Sequence, residues 1–206
     1  MIAVIDYGLG NLRSVCNAVA AVDGEAAVCT DPAALLDASA VILPGVGAFG
    51  SAMANLREGG WIEPLQRSVR EQGKPFLGIC LGMQVITRGS SEHGEHDGLG
   101  WIDATVTRLP KTSPELRIPH IAWNDVTFTR SDSGLSTGLE PEETFYFVHS
   151  YAVTATGQPF VKGTTHHGTE FVACLEDENI WATQFHPEKS QQAGLRILRN
   201  FVERSR

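Results

Sequence analysis

Cysteine is sparse and scattered. Cys16, Cys29, Cys80 and Cys174 form no C-x-x-C pair anywhere in the 206 residues. An even count permits disulfides, but no charged stretch followed by an apolar core marks an export signal after Met1, so free thiols are the expected state. Cys16 and Cys174 sit in apolar stretches and read as core. No apolar run approaches the length that spans a bilayer. Basic residues are in deficit: 16 Lys and Arg against 24 Asp and Glu leave a net charge of −8, which argues against broad, non-specific nucleic-acid binding. His93 and His96 have a helical metal-ligand spacing, and His166 and His167 are adjacent, but neither pair has a further ligand nearby, so no metal and no cofactor is expected. Internal repeats, low-complexity tracts and linkers are also missing. What remains is an ordinary globular composition, 42% hydrophobic and 19% charged. It suffices for one well-buried α/β domain over residues 1–206, expected in the cytoplasm.

The first half alternates strand and helix patterns. Ile2 to Ile5 is an apolar β-run, residues 6–11 form a glycine-rich turn, and Leu12 to Val22 reads as helix. The dinucleotide-binding spacing G-x-G-x-x-G fails, because Arg13 stands where the third glycine belongs. Glu25 to Cys29 is a second strand. Asp31 before Pro32 looks like a helix cap, opening a short helix to Asp37. Ala40 to Leu43 is a third strand, followed by a second glycine-rich loop, Pro44 to Gly50. Ser51 to Leu56 and Trp61 to Gln72 read as helix, interrupted by Gly59 and Gly60. Residues 89–100 are polar and glycine-rich and read as a surface loop. Beyond Trp101 strands dominate: 104–109, 125–129, 144–149, 160–164, 171–174 and 180–185. Gln191 to Arg204 is the closing helix. The fold class is therefore α/β, a mostly parallel central sheet flanked by helices, with an antiparallel, strand-rich extension.

Two stretches carry chemistry. Phe76, Leu77 and Ile79 make a short buried-strand run, and Cys80 follows between Gly78 and Gly82 before a helix over Leu81 to Thr87. This G-x-C-x-G is the thiol counterpart of the G-x-S-x-G nucleophile elbow, a sharp turn that lifts the side chain out of the sheet. It is expected to leave the thiol exposed at a helix N-terminus, where the dipole favours thiolate. Near the end of the chain, His186 closes the strand 180–185, and Glu188 follows two residues later, where an extended chain returns to the same face. A histidine oriented by a carboxylate is the base that a thiol nucleophile needs. Either stretch alone has an ordinary structural reading. Together they point to a triad of Cys80, His186 and Glu188.

Gly78 to Gln84 (GICLGMQ) with Phe185 to Glu188 (FHPE) resembles the class I, or triad, glutamine amidotransferases. Residues 6–12, 44–50, 119–124, 146–151 and 186–190 narrow the likeness to the branch whose glutaminase serves a (β/α)₈-barrel cyclase in histidine biosynthesis. The resemblance covers nearly the whole chain and implies a division of labour. Cys80 attacks the glutamine carboxamide, and the amides of Val46 and Leu81 form the oxyanion hole. Glycines flank Val46, so its peptide is expected to point away at rest and turn inward when the loaded partner binds. Gly47, Gln84, Ser150 and Tyr151 contact the substrate, and Asn11, Trp123, Tyr146 and Lys189 meet the partner. At 206 residues the chain falls short of a typical barrel of about 250, so the cyclase is expected on a separate protein, making a heterodimer. A glutaminase of another biosynthetic amidotransferase, a γ-glutamyl hydrolase and a non-catalytic docking module remain the alternatives.

Overall fold

Ile2 and Val4 face one side of β1 (Ile2–Ile5), Ala3 and Ile5 face the other, and all four are buried. That two-sided burial is why the strand reads as an unbroken apolar run and why helices cover both faces. In the computed structural model, which describes residues 1–129 and 134–206, this pattern organises the first half of the chain. After β1 come α1 (Leu12–Ala20), β2 (Ala26–Cys29), β3 (Ala40–Gly45), α2 (Phe49–Glu58), α3 (Ile62–Leu65), β4 (Phe76–Cys80) and α4 (Leu81–Val85). The second half supplies β5 (Thr87–Ser90), β6 (His96–Asp97), β7 (Ile102–Arg108), β8 (His120–Phe128), β9 (Glu142–His149), β10 (Tyr151–Val153), β11 (Val161–His166), β12 (Glu170–Asp177), β13 (Ile180–Thr183) and α5 (Gln191–Arg204).

The strands build one nine-stranded mixed sheet, ordered β2-β1-β3-β4-β13-β12-β11-β8-β9. Neighbours from β2 to β13 are parallel, and every pair beyond β13 is antiparallel. The antiparallel extension is thus half the sheet. It joins the parallel half through β13, the last strand of the chain, inserted beside β4 in the register Ile180 opposite Phe76. Helices α1 and α5 pack together on one face with Ile2, Val4, Ile42 and Leu77. On the other face α2 and the residues around Trp61 and Leu65 cover Ala3, Ile5, Val41 and Leu43.

Several sequence expectations shift. The cap at Asp31 forms as expected, its carboxylate accepting from the Ala33 amide at 2.9 Å, but it opens a 3₁₀ turn over Pro32–Asp37. The Trp61 to Gln72 helix is α only over Ile62–Leu65 and widens to a π-helix over Gln66–Glu71. The helix expected over Leu81 to Thr87 stops at Val85, because Thr87 already belongs to β5, which pairs with β7. Residues 89–100 are accordingly not all surface loop. Gly89 and Ser90 are buried in a second sheet, ordered β10-β7-β5-β6. Gly89 has to be glycine there, since a Cβ would strike the His96 carbonyl. A glycine needed for close packing reads in the sequence like a glycine in a loop.

Candidate active site

β3, β4 and β13 are adjacent and parallel, so their C-terminal ends open on one crevice, the usual place for a site in such sheets. Cys80 ends β4 and starts α4 with φ 54° and ψ −105°, a conformation that a non-glycine residue adopts only under constraint. The constraint is steric. Gly82 sits against the Leu43 carbonyl, and Gly78 against the backbone of Gly82, with no room for a Cβ at either place. That is the elbow geometry. The thiol is not in the open, however. Cys80 is 5% exposed, whereas Cys16 and Cys29 are half-buried and more accessible. Cys80 lines a cleft of about 150 Å³ together with Val46, Gly47, Leu81, Gln84, Glu92, Val148, His149, Ser150 and Tyr151. Burial raises the pKa of the Cys16, Cys29 and Cys174 thiols.

His186 lies three residues past the end of β13, and Glu188 reaches it by a different route from the one the spacing suggested. The chain is extended only at His186 and then closes into a 3₁₀ turn over Pro187–Lys189. Proline at the first position of that turn presets its φ. The turn brings Glu188 Oε1 to 2.8 Å from His186 Nδ1, both side chains being almost wholly buried. Burial alone would lower the His186 pKa, but interactions with Cys80 and then Glu188 overcome it and push the value up to about 10. Nδ1 therefore donates to the carboxylate, and Nε2 is left without a partner of normal hydrogen-bond geometry, in electrostatic contact with Cys80. A buried polar atom left unpaired beside a thiol is the arrangement expected of a proton carrier.

Of the other sequence-identified residues, Gly47, Gln84, Ser150 and Tyr151 all line the cleft, together with Val46 and Leu81. Gly47 has φ +111°, which only glycine adopts without strain. Trp123, Tyr146 and Lys189 form one surface cluster: the two rings meet edge to face at 5.9 Å, and Lys189 Nζ lies 5.8 Å from the Tyr146 ring centre. The Asn11 side chain accepts from the Ser14 amide at the start of α1.

Three residues escaped the sequence reading. Glu92 lines the cleft and caps α2 by accepting the Phe49 amide at 2.7 Å, a task that Ala48 at the cap position cannot perform. Ser190 donates to the His186 carbonyl at 2.6 Å and accepts from the Tyr146 amide at 3.0 Å, tying the histidine to the aromatic cluster. Gln184 is fully buried and donates to the Cys80 sulfur at 3.6 Å. Only Gln184 had a visible signal, a polar residue inside an apolar strand pattern. A larger groove of about 950 Å³ runs along residues 108–121, with Arg108, Lys111 and Arg117 on its rim, but none of the triad side chains lines it.

Comparison with known proteins agrees with this geometry. Residues 3–205 match the family described as glutamine amidotransferase class-I. The imidazole glycerol phosphate synthase subunit HisH of Syntrophotalea carbinolica is 47% identical over 205 residues, covering 98% of both chains. The subunit of the same name from Methanothermobacter thermautotrophicus is 50% identical over 203 residues, again covering 98% of both. Among solved structures, PurLQS from Thermotoga maritima shares the fold with a TM-score of 0.77 at 17% identity, over 98% of this chain and 97% of that one. A structure described as a glutamine amidotransferase has a TM-score of 0.75 at 19% identity, covering 100% and 99%.

Proposed function

We infer that this chain, which belongs to the class-I glutamine amidotransferases, is the glutaminase subunit of an imidazole glycerol phosphate synthase and acts in histidine biosynthesis. The observation that carries the mechanism is the strained Cys80 elbow facing a carboxylate-held imidazole. In that arrangement the Cys80 thiolate attacks the carboxamide carbon of glutamine. The tetrahedral oxyanion is received by backbone amides at Val46 and Leu81, both on the cleft wall. As the C–N bond breaks, His186 gives its proton to the leaving nitrogen, and ammonia departs from a γ-glutamyl thioester. Water then loses a proton to His186 and attacks the thioester, releasing glutamate and restoring the thiolate. Glu188 keeps the proton of Nδ1 in place and stabilises the imidazolium throughout.

Ammonia passes to a (β/α)₈-barrel cyclase subunit, which uses it to form imidazole glycerol phosphate and an aminoimidazole carboxamide ribotide. The surface around Trp123, Tyr146 and Lys189 is where that partner docks, and Ser190 links this surface to His186. No helix among the described residues is long and apolar enough to cross a membrane. The test uses the reconstituted complex. Cys80→Ala should abolish glutamine-dependent synthesis and leave the reaction with free ammonia intact, because only the thioester step is lost. Glutamine turnover near the wild-type rate in Cys80→Ala would defeat the assignment.

A further inference from the structure

Behind the cleft, a row of groups, most of them buried, is hydrogen-bonded end to end through side chains and the Tyr151 carbonyl, and its direction can be worked out atom by atom. The Tyr151 carbonyl can only accept, so His149 carries its hydrogen on Nδ1, 2.9 Å away. Burial keeps His149 and His120 neutral, with pKa values lowered to about 4 and about 3. His149 Nε2 must then accept, and His120 Nδ1 donates to it at 3.1 Å. His120 Nε2 in turn accepts from Asn124 Nδ2 at 3.3 Å. On the far side of the Tyr151 carbonyl, Gln84 Nε2 donates to the same oxygen at 2.8 Å and, with its second hydrogen, to Gln184 Oε1 at 3.0 Å. Gln184 Nε2 donates to Cys80 Sγ at 3.6 Å. The sulfur also makes a longer bond, 4.0 Å, to the Val148 carbonyl, which can accept from the thiol but offers nothing to the thiolate, and it lies in electrostatic contact with His186.

We propose that Gln184 is a positioning residue that holds the Cys80 sulfur as an acceptor and so favours its thiolate form, and that the row Asn124–His120–His149–Tyr151–Gln84 fixes the orientation of Gln184 from β8. The physical reason is asymmetry. A buried amide has to satisfy both of its ends, and with Oε1 taken by Gln84, the Nε2 hydrogens of Gln184 have the sulfur to point at. A donor stabilises the charged acceptor more than the neutral one. β8 also carries Trp123 at the aromatic surface cluster, so the row connects that surface to the nucleophile through neutral, direction-locked bonds. The titratable groups facing the sulfur are His186 from the 3₁₀ turn, Tyr7 beyond β1, and His149, Tyr151 and Glu92 around the cleft. The inference rests on the reading of Cys80 as the nucleophile.

The experiment is the pH dependence of Cys80 alkylation by iodoacetamide on the full chain, with the modified residue identified by mass spectrometry. Gln184→Met removes the donor at similar volume. It should move the alkylation midpoint up by about one pH unit, which corresponds to roughly tenfold slower labelling below the midpoint. Gln84→Met and His120→Phe should shift it in the same direction by less, since each frees Gln184 without deleting it. Should Gln184→Met fail to fold, Gln184→Leu removes the donor without adding charge, and the same upward shift is expected. A folded Gln184 variant with an unmoved midpoint overturns the proposal. An unmoved midpoint in His120→Phe overturns the connection to β8. Since the assay contains neither glutamine nor partner, it is independent of the glutaminase reading, which fails separately if Cys80→Ala still turns over glutamine.

Discussion

His149 is close enough to feel the charge of His186, yet the two are driven in opposite directions. His186 is raised to about 10 by its interactions with Cys80 and Glu188, while burial first and neighbouring histidines second (His167 for both) lower His149 to about 4 and His120 to about 3. The consequence for stability follows from proton linkage. For His120 and His149 the folded value lies below the unfolded 6.5, so their contribution is whole above about pH 6.5 and declines as the pH falls towards 4 and 3. For His186 the sign reverses: its contribution is whole below about 6.5 and is lost as the pH rises through about 10. We expect the Tm to drop steadily between pH 7 and pH 4.5, and to drop less steeply in His120→Phe. A wild-type Tm that stays flat over that range would contradict two buried neutral histidines. In catalysis, Glu188→Gln should be milder than His186→Ala, because the carboxylate orients a proton that the imidazole itself carries. Steady-state glutaminase rates of the two variants in the complex decide this, and equal losses would mean that Glu188 does more than orient.

Among the elements, the loop from Pro44 to Gly50 is the part that chemistry requires to be precise and sterics allow to move. It leaves β3 at Gly45, presents Val46 and Gly47 to the cleft, and is held at its far end by Glu92 on the first amide of α2. The Val46 N–H belongs to the peptide plane between Gly45 and Val46, and the glycines on either side of Val46, with Gly47 at φ +111°, leave that stretch of backbone free to turn. We propose that the Val46 amide turns towards the oxyanion only when the loaded partner docks. One such donor is worth about 10²–10³-fold in rate. Gly47→Ala should therefore reduce glutamine turnover in the complex by at least about tenfold, part of that donor's full contribution. Binding of the partner should be little changed. Glutamine hydrolysis measured with and without the partner's acceptor substrate checks it, and an unimpaired stimulated rate would remove the loop from the mechanism. The legibility of such elements was uneven. Both glycine loops and the α5 boundaries were visible in the sequence, whereas β5 was hidden because Gly89 and the polar residues around it carry no strand pattern.

At the scale of the whole molecule, three of the five exposed large hydrophobic side chains among the described residues lie on β8 or on the oxyanion loop, the other two being Met1 and Val28. Trp123 is 47% and Ile121 60% exposed on β8, Val46 is exposed on the oxyanion loop, and Tyr146 and Lys189 lie beside Trp123. An apolar, aromatic patch of this kind is a poor surface to leave in water and a good one to cover with a partner. A half-exposed tryptophan at such a centre has the character of a binding hot spot, so Trp123→Ala should weaken association with the barrel subunit by about 2 kcal/mol, roughly 30-fold. Titration calorimetry of the two subunits measures this directly, and an unchanged Kd would move the interface elsewhere. The reach of the site across the chain is equally a property of the whole: Cys80, from the first half, is served by His186, Gln184 and Tyr151 from the second because β13 lies beside β4.

What the chain determined by itself was its local chemistry. The G-x-C-x-G run, the His-Pro-Glu run and the flanking glycines name a thiol, a base and a carboxylate, because these depend on residues a few positions apart and on steric rules that act over the same range. The alternation of apolar runs likewise settles the α/β class. Tertiary structure alone decided how Glu188 meets His186, that Cys80 is buried, that Glu92 caps α2 across the cleft, and that Gln184 aims at the sulfur. The first is set by the 3₁₀ turn over Pro187–Lys189, and the others by packing between segments distant in sequence. Local patterns say which face of an element is apolar but not which atom of another element it will meet.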